Sequence, residues 1–354
     1  MDQIQNFENF GSNITSFSFR CAQQIFFDED DSITRFGFKS KLEKNENIRK
    51  EKLKILEDCY EMLIVPIKKY LPLDEVFYIV PHQSIAMLPF SAFIDKNTKK
   101  YFIEEYTFAF SDSFENIDLH FESFGKLNNH SKCLFVSNPK NKEKPLPNAT
   151  KEVKEIEEMI KSDSIIVLNE EDAEKSKIIE ILNSKEFQPP IFHVAAHTSS
   201  SSTKNSNYHE EYAFRGSIEC ESDKNGETIK LYAYEILDLD FSNCELVVLN
   251  TCESGHGKIT NDGILGLNLS FSKSGATVIC SLWKINDSSA KSLMVSFYKC
   301  LKEGKSKIES LREASLNEMK KDRISIDKWA PLTLFGHYGE FKSKFIFKND
   351  QENN

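Results

Sequence analysis

The stretch Glu245-Leu246-Val247-Val248-Leu249-Asn250-Thr251-Cys252-Glu253-Ser254-Gly255-His256-Gly257 decides how the chain is read. Four apolar residues with two adjacent valines suit a strand buried on both faces, as in a parallel sheet covered by helices. Small, polar and glycine residues then break the run, and Cys252 falls where the strand stops. Open α/β sheets bind their ligands at the carboxyl ends of their strands. That position makes Cys252 a candidate nucleophile; the competing reading is a buried structural thiol, since Cys is among the most buried residue types.

A second stretch has the same form. Pro190-Ile191-Phe192-His193-Val194-Ala195-Ala196-His197-Thr198 is an apolar strand closing on His197, 55 residues before Cys252, and a serine-rich loop follows. Neighbouring parallel strands would bring imidazole and thiol to one rim. A free thiol with a pKa near 8.5 is only a few per cent thiolate at neutral pH. A nearby imidazole can take its proton and later return one to a leaving amine. The plainer alternative for His197 is a satisfied core histidine.

Flanking residues turn this pattern toward catalysis. Val247-Val248-Leu249-Asn250-Thr251-Cys252-Glu253-Ser254-Gly255 resembles the nucleophile block of the CHAT family, caspase-like cysteine peptidases of clan CD. Gly263-Ile264-Leu265-Gly266-Leu267, Ser274-Gly275-Ala276, Ser281-Leu282-Trp283 and Trp329-Ala330-Pro331-Leu332-Thr333-Leu334-Phe335-Gly336 are similar to later blocks of that family, in order. Pro81-His82-Gln83-Ser84-Ile85-Ala86-Met87-Leu88-Pro89-Phe90 is similar to an earlier, architectural one. Caspases likewise place their catalytic His roughly this far ahead of the Cys. The resemblance covers roughly residues 50 to 345.

The resemblance implies an α/β fold, a caspase-like α/β/α sandwich with a mostly parallel sheet, preceded by a degenerate α/β half. The expected division is a variable segment at 1–45, the degenerate half at 46–130, the catalytic half at 131–345 and a polar tail at 346–354. It implies a cysteine endopeptidase with His197 as acid and base and Cys252 as nucleophile. The backbone N–H groups of Thr198 and Cys252 would serve the oxyanion. The family usually has Gly after its histidine, where this chain has Thr198, and a β-branched residue resists positive φ. Trp283 is expected to wall the substrate cleft. Asp287 is expected either to receive a basic P1 side chain or to cap a helix starting at Ser288. The substrate would be a protein or peptide, with a gasdermin-like or other bacterial defence effector among the candidates. The rival is an inactive caspase-like scaffold or binding module.

Composition agrees with an ordinary globular protein. The 354 residues are 40% hydrophobic and carry a formal net charge of −10, with a pI near 5.5, which gives no electrostatic reason to expect nucleic acid or an anionic membrane. No apolar run approaches the roughly 18 residues of a membrane helix, and Met1-Asp2-Gln3-Ile4-Gln5-Asn6 lacks a basic leader. A cytoplasmic location is the expectation. Eight scattered cysteines without paired spacing point to no disulfide and no metal. No GxGxxG or GKS/GKT pattern suggests a nucleotide, so no cofactor is expected.

Periodicity supplies the remaining elements. Helices are expected over 47–70 with a break at Pro66, from a cap at Asn148, over 172–183, 263–272, 288–303 and 305–321. Strands are expected at 75–80, 101–103, 106–110, 133–136, 165–168 and 276–282. Asn225-Gly226 signals a two-residue hairpin. The polar stretch 198–207 is expected to be a mobile border of the cleft.

Overall fold

The computed structural model describes residues 50–117, 131–139, 145–184, 189–199, 216–223, 225–251, 257–260, 263–283 and 285–348. Two compact units divide them. One takes the described residues up to Phe77 together with Pro81–Thr107, and the other takes Tyr78–Val80 and the residues from Phe108 onward.

In the first unit, helix α1 (residues 50–59) runs into a wide turn at Tyr60–Ile64. Leu56, Cys59, Tyr60 and Ile64 are buried, and the Tyr60 ring meets Phe102 edge-on at 6.3 Å. After Pro66 the backbone makes a short 3-10 turn at Lys68–Tyr70 rather than a second helix. Tyr101–Ile103, expected as a strand, instead opens the four-residue helix α2 (Phe102–Glu105). The Glu104 carboxylate accepts the Tyr101 backbone N–H at 2.7 Å, which closes the first turn.

The second unit contributes most of an eight-stranded sheet. The sheet's strands are β1 (Val76–Ile79), β2 (Thr107–Phe110), β3 (Cys133–Ser137), β4 (Ile165–Asn169), β5 (Ile191–Ala195), β9 (Leu246–Leu249), β12 (Val278–Ser281) and β13 (Leu332–Phe335), in spatial order β1-β2-β13-β12-β9-β5-β3-β4. From β12 to β4 every neighbouring pair is parallel. β13 is antiparallel to β12 and parallel to β2. Parallel strands need covered faces, and β3, β5, β9 and β12 are buried along their whole length.

Side-chain alternation along β5 shows what covers each face. His193 points to α3 (Pro147–Glu157) and to α7 (Asp287–Lys302), where it meets Glu152 and Tyr298. Phe192 points the other way, packing 6.0 Å from Phe241 and 5.9 Å from Phe271 on α6 (Leu267–Lys273). Fully burying side chains of this size contributes about 1.5–3 kcal/mol each. Leu293, Met294, Phe297 and Leu301 form the inward stripe of α7 as its periodicity predicts.

Two smaller β pairings lie outside the main sheet. β6 (Thr198–Ser199), β7 (Ser217–Ser222) and β8 (Thr228–Tyr232) form an antiparallel ribbon. Asn225-Gly226 lies in the β7–β8 connection, with Gly226 at φ +87°, but Ser222 pairs with Thr228, so the connection is longer than the two-residue turn expected. β10 (Gly257–Thr260) pairs with β11 (Gly263–Gly266). That second hairpin corrects the helix expected over 263–272: the first four residues pair as a strand, and only Leu267–Lys273 is helical. Gly275, at φ +103°, turns the chain into β12, where a Cβ would come within 3.1 Å of the Ser242 backbone.

Helix starts differ from expectation by one to three residues. α3 begins at Pro147 with Leu146 at its cap, so Asn148 lies inside the first turn; the fixed φ of proline suits the first helical position. α4 (Lys175–Asn183) starts after a 3-10 turn at Glu170–Asp172. α8 (Lys307–Lys321) carries a reciprocal cap between Ser306 and Glu309.

Candidate active site

The site is organised by the pairing of β5 with β9. Ile191 stands opposite Leu246, Phe192 opposite Val247, His193 opposite Val248 and Val194 opposite Leu249. Both strands therefore end on one rim. β5 is held there from its other side by Asn138, whose N–H donates to Ala195 O at 2.9 Å from a left-handed backbone at φ 44°. The Asn138 side chain accepts the Leu146 N–H at 2.8 Å, tying the rim to the start of α3.

His197 lies two residues beyond β5, half-buried. Its carbonyl accepts the Glu219 N–H at 2.8 Å, and the next residue, Thr198, pairs with Ile218 in the ribbon. Hydrogen-bonded and non-hydrogen-bonded pairs alternate in an antiparallel ladder, so the Thr198 N–H turns away from β7. Thr198 has extended backbone and is not among the residues with positive φ. A β-branched residue fits that conformation without strain. Residues 200–207 of the serine-rich loop, and Cys252 itself, lie outside the described residues.

The two residues before Cys252 are described. The Thr251 carbonyl accepts the Ser281 hydroxyl from the end of β12. Asn250 gives its carboxamide nitrogen to both carboxylate oxygens of Glu152, at 2.9 and 2.7 Å. Glu152 Oε1 also lies 3.0 Å from His193 Nε2, and His193 Nδ1 lies 3.1 Å from the Tyr298 hydroxyl. Phe135 stacks on the imidazole at 4.9 Å. Burial pushes the Tyr298 hydroxyl well above its ordinary pKa. Sequence patterning singled out none of Glu152, His193, Asn250 or Ser281 as a site residue.

Trp283, expected to wall a substrate cleft, is 8% exposed, with its indole nitrogen 3.5 Å from the Asp327 carbonyl. Asn286, not Asp287, caps α7, accepting the Ser288 N–H at 3.0 Å. Asp287 is the first residue of that helix, and its Oδ2 accepts the Asn148 N–H at 3.1 Å. It therefore joins the starts of α7 and α3.

Six cysteines fall among the described residues, all buried and reduced. Burial raises the Cys220 and Cys244 thiols to about 12 and pushes Cys133 and Cys280 up as well. None is activated. Among the described residues no group of three His, Cys, Asp or Glu is placed to hold a metal ion, and no helix is long and apolar enough to cross a membrane.

The sheet, its flanking helices and the shared rim define a caspase-like α/β fold. The chain belongs to the CHAT domain family, whose model matches residues 53–337. Among curated proteins it is similar to tetratricopeptide repeat protein 28 of Mus musculus, 33% identical over 108 residues, and of Homo sapiens, 30% identical over 112 residues. Those alignments cover 30% and 31% of this chain but 4% of each relative, so the chain spans a small fraction of their length. Among solved structures, the separase of the Saccharomyces cerevisiae separase–securin complex superposes with a TM-score of 0.50 at 12% identity, over 93% of this chain and 22% of that one. The Arg-specific cysteine proteinase gingipain R gives 0.49 at 10% identity, over 94% of this chain and 76% of that one.

Proposed function

We propose that this chain is a cysteine endopeptidase in which His197 and Cys252 form the catalytic dyad. The observation that carries this reading is the register of β5 and β9. Its partners keep a constant separation of 55 positions, from 191 and 246 to 194 and 249, and 197 and 252 are also 55 apart. Carried past the ends of the two strands, that relation would bring 197 and 252 to the same rim.

The mechanism follows from that juxtaposition. The His197 imidazole takes the Cys252 thiol proton. The thiolate attacks the scissile carbonyl, and the C–N bond breaks as the imidazolium returns the proton to the leaving amine. Water, deprotonated by the same imidazole, then hydrolyses the thioester and frees the thiol. The N–H groups of Thr198 and Cys252 stabilise the oxyanion. An extended peptide lies along the exit of β12, past Trp283, and Asp287 is the carboxylate nearest that exit for a basic P1 side chain. The substrate is a protein or peptide, and a gasdermin-like or other defence effector is the candidate class.

Single-turnover cleavage of a peptide library tests the dyad. Cys252→Ala and His197→Ala are each expected to abolish cleavage without altering the fold, because nucleophile and base act as a unit. Full activity in either variant removes that residue from the mechanism.

A further inference from the structure

We propose that Glu152 and His193 form a positioning pair that fixes the end of the nucleophile strand through the side chain of Asn250. The proposal rests on the peptidase reading above, in which Cys252 follows Asn250 by two residues.

Three elements converge on the pair. Glu152 comes from α3, His193 from the middle of β5, and Asn250 from just past β9; they are 1%, 0% and 8% exposed. An ionised carboxylate only accepts hydrogen bonds, and all three short contacts on Glu152 come from nitrogen: two from the Asn250 carboxamide and one from His193 Nε2. The other nitrogen of His193 meets the Tyr298 hydroxyl, and Phe135 stacks against the ring. Glu152 is thereby oriented by a histidine that is itself held on its second nitrogen and one face.

This arrangement is a poor way to obtain stability alone, since apolar residues of similar volume commonly replace buried charged groups at no loss. What it supplies is a fixed orientation for one carboxamide. Among the described residues, Asn250 Oδ1 and Thr251 Oγ1 are buried without a hydrogen-bond partner, so the strand end keeps unpaired polar atoms in a setting that penalises them. Ser281 holds the Thr251 carbonyl from the β12 side while Glu152 holds Asn250 from the α3 side. A reacting group needs support of this kind to stay within about 0.5 Å of its productive position.

The test is Glu152→Gln. It keeps the size but sets an amide N–H₂ beside the donor group of Asn250. Two rates are measured in folded protein: alkylation of Cys252 by iodoacetamide, followed by mass spectrometry of the Cys252 peptide, and single-turnover cleavage. Both are expected to fall roughly 10- to 100-fold, in the rate constant rather than in KM, as for a displaced reacting group. The reciprocal double variant, E152Q with N250D, returns a carboxylate facing an amide and is expected to recover both rates to within a few fold. Unchanged rates in folded E152Q overturn the proposal, and so does a loss that the double variant fails to recover. If E152Q does not fold, Asn250→Ser decides: it removes the carboxamide while leaving Glu152 and His193 together, and unchanged rates there overturn the proposal equally. Absence of cleavage in the unaltered protein, with the alkylation difference intact, sinks the peptidase reading and leaves the positioning role standing.

Discussion

Val194 stands opposite Leu249 in the parallel pairing of β5 with β9, and each strand is followed by a residue of the candidate chemistry, His197 or Cys252. A single strand slipped by one residue would turn every side chain to the opposite face. Both strands are buried on both faces, which holds this pairing in the core.

Thr198 provides the first prediction. Its backbone is extended, with the N–H turned away from β7, so Thr198→Gly keeps the donor and is expected to leave cleavage within a few fold. Stability should fall by about 0.5–1 kcal/mol, the usual cost of Gly in a strand. Thr198→Pro deletes the N–H and is expected to lower the rate constant by about 100-fold or more, the loss typical of an oxyanion donor. Equal rates in the Gly and Pro variants would take Thr198 out of the oxyanion hole.

Asp287 provides the second. With Oδ2 accepting the Asn148 N–H, its first role is to join two helix starts. Asp287→Asn retains an acceptor and is expected to melt like the unaltered protein, whereas Asp287→Ala should lose about 1 kcal/mol. Cleavage after Arg or Lys that disappears in the Asn variant at unchanged melting temperature adds the P1 role. An unchanged P1 preference leaves Asp287 as a structural link.

Ser281 provides the third. Its hydroxyl donates to the Thr251 carbonyl in a fully buried setting. Ser281→Ala strands that carbonyl and is expected to destabilise the protein by about 1–3 kcal/mol, read by denaturant unfolding. A change below about 0.5 kcal/mol would show that the bond contributes little.

Lys307 provides the fourth, and it concerns pH. The side chain is fully buried, with Nζ 3.1 Å from His337 Nδ1 and 3.4 Å from the Glu340 carbonyl, and burial lowers its pKa from 10.5 to about 8. Below pH 8 both folded and unfolded chains carry the proton, and the folded state bears the full burial penalty. Between pH 8 and 10.5 the unfolded chain holds more protons, so this group makes stability rise with pH. The total is on the order of 3 kcal/mol. Lys307→Met lacks that slope. The unaltered protein should therefore gain on the variant as pH goes from 7.5 to 10 in paired denaturation curves; a constant difference would contradict the buried-lysine account.

Much of this architecture was legible locally. Val247-Val248-Leu249 and Ile191-Phe192 read as buried strands, and the stripe Leu293, Met294, Phe297 and Leu301 read as one helix face, because each pattern lies within a few residues. The hairpin at Gly263–Gly266 was not legible, since its partner strand is needed to tell Ile264-Leu265 from the first turn of α6. Asn286 and Asp287 are adjacent and both good caps, so their order at the start of α7 rests on which side chain turns back to Ser288. Glu152, His193 and Asn250 were the least visible. They lie on three elements far apart in sequence, and each reads alone as a helix surface residue, a core residue or a strand-end polar group. Cys252 and His197 stood out because glycine-rich or serine-rich sequence follows an apolar run, a local signal that the positioning residues lack.

The most direct test of the central claim is covalent labelling with an electrophilic peptide probe at neutral pH, comparing the unaltered protein with His197→Ala. Cys133, Cys220, Cys244 and Cys280, buried with thiols raised by their surroundings, give no competing fast reaction. The account predicts rapid modification confined to Cys252 and at least about tenfold slower modification when His197 is removed. Equal, slow labelling of Cys252 in both proteins would show an unactivated thiol and a caspase-like fold that binds without cleaving.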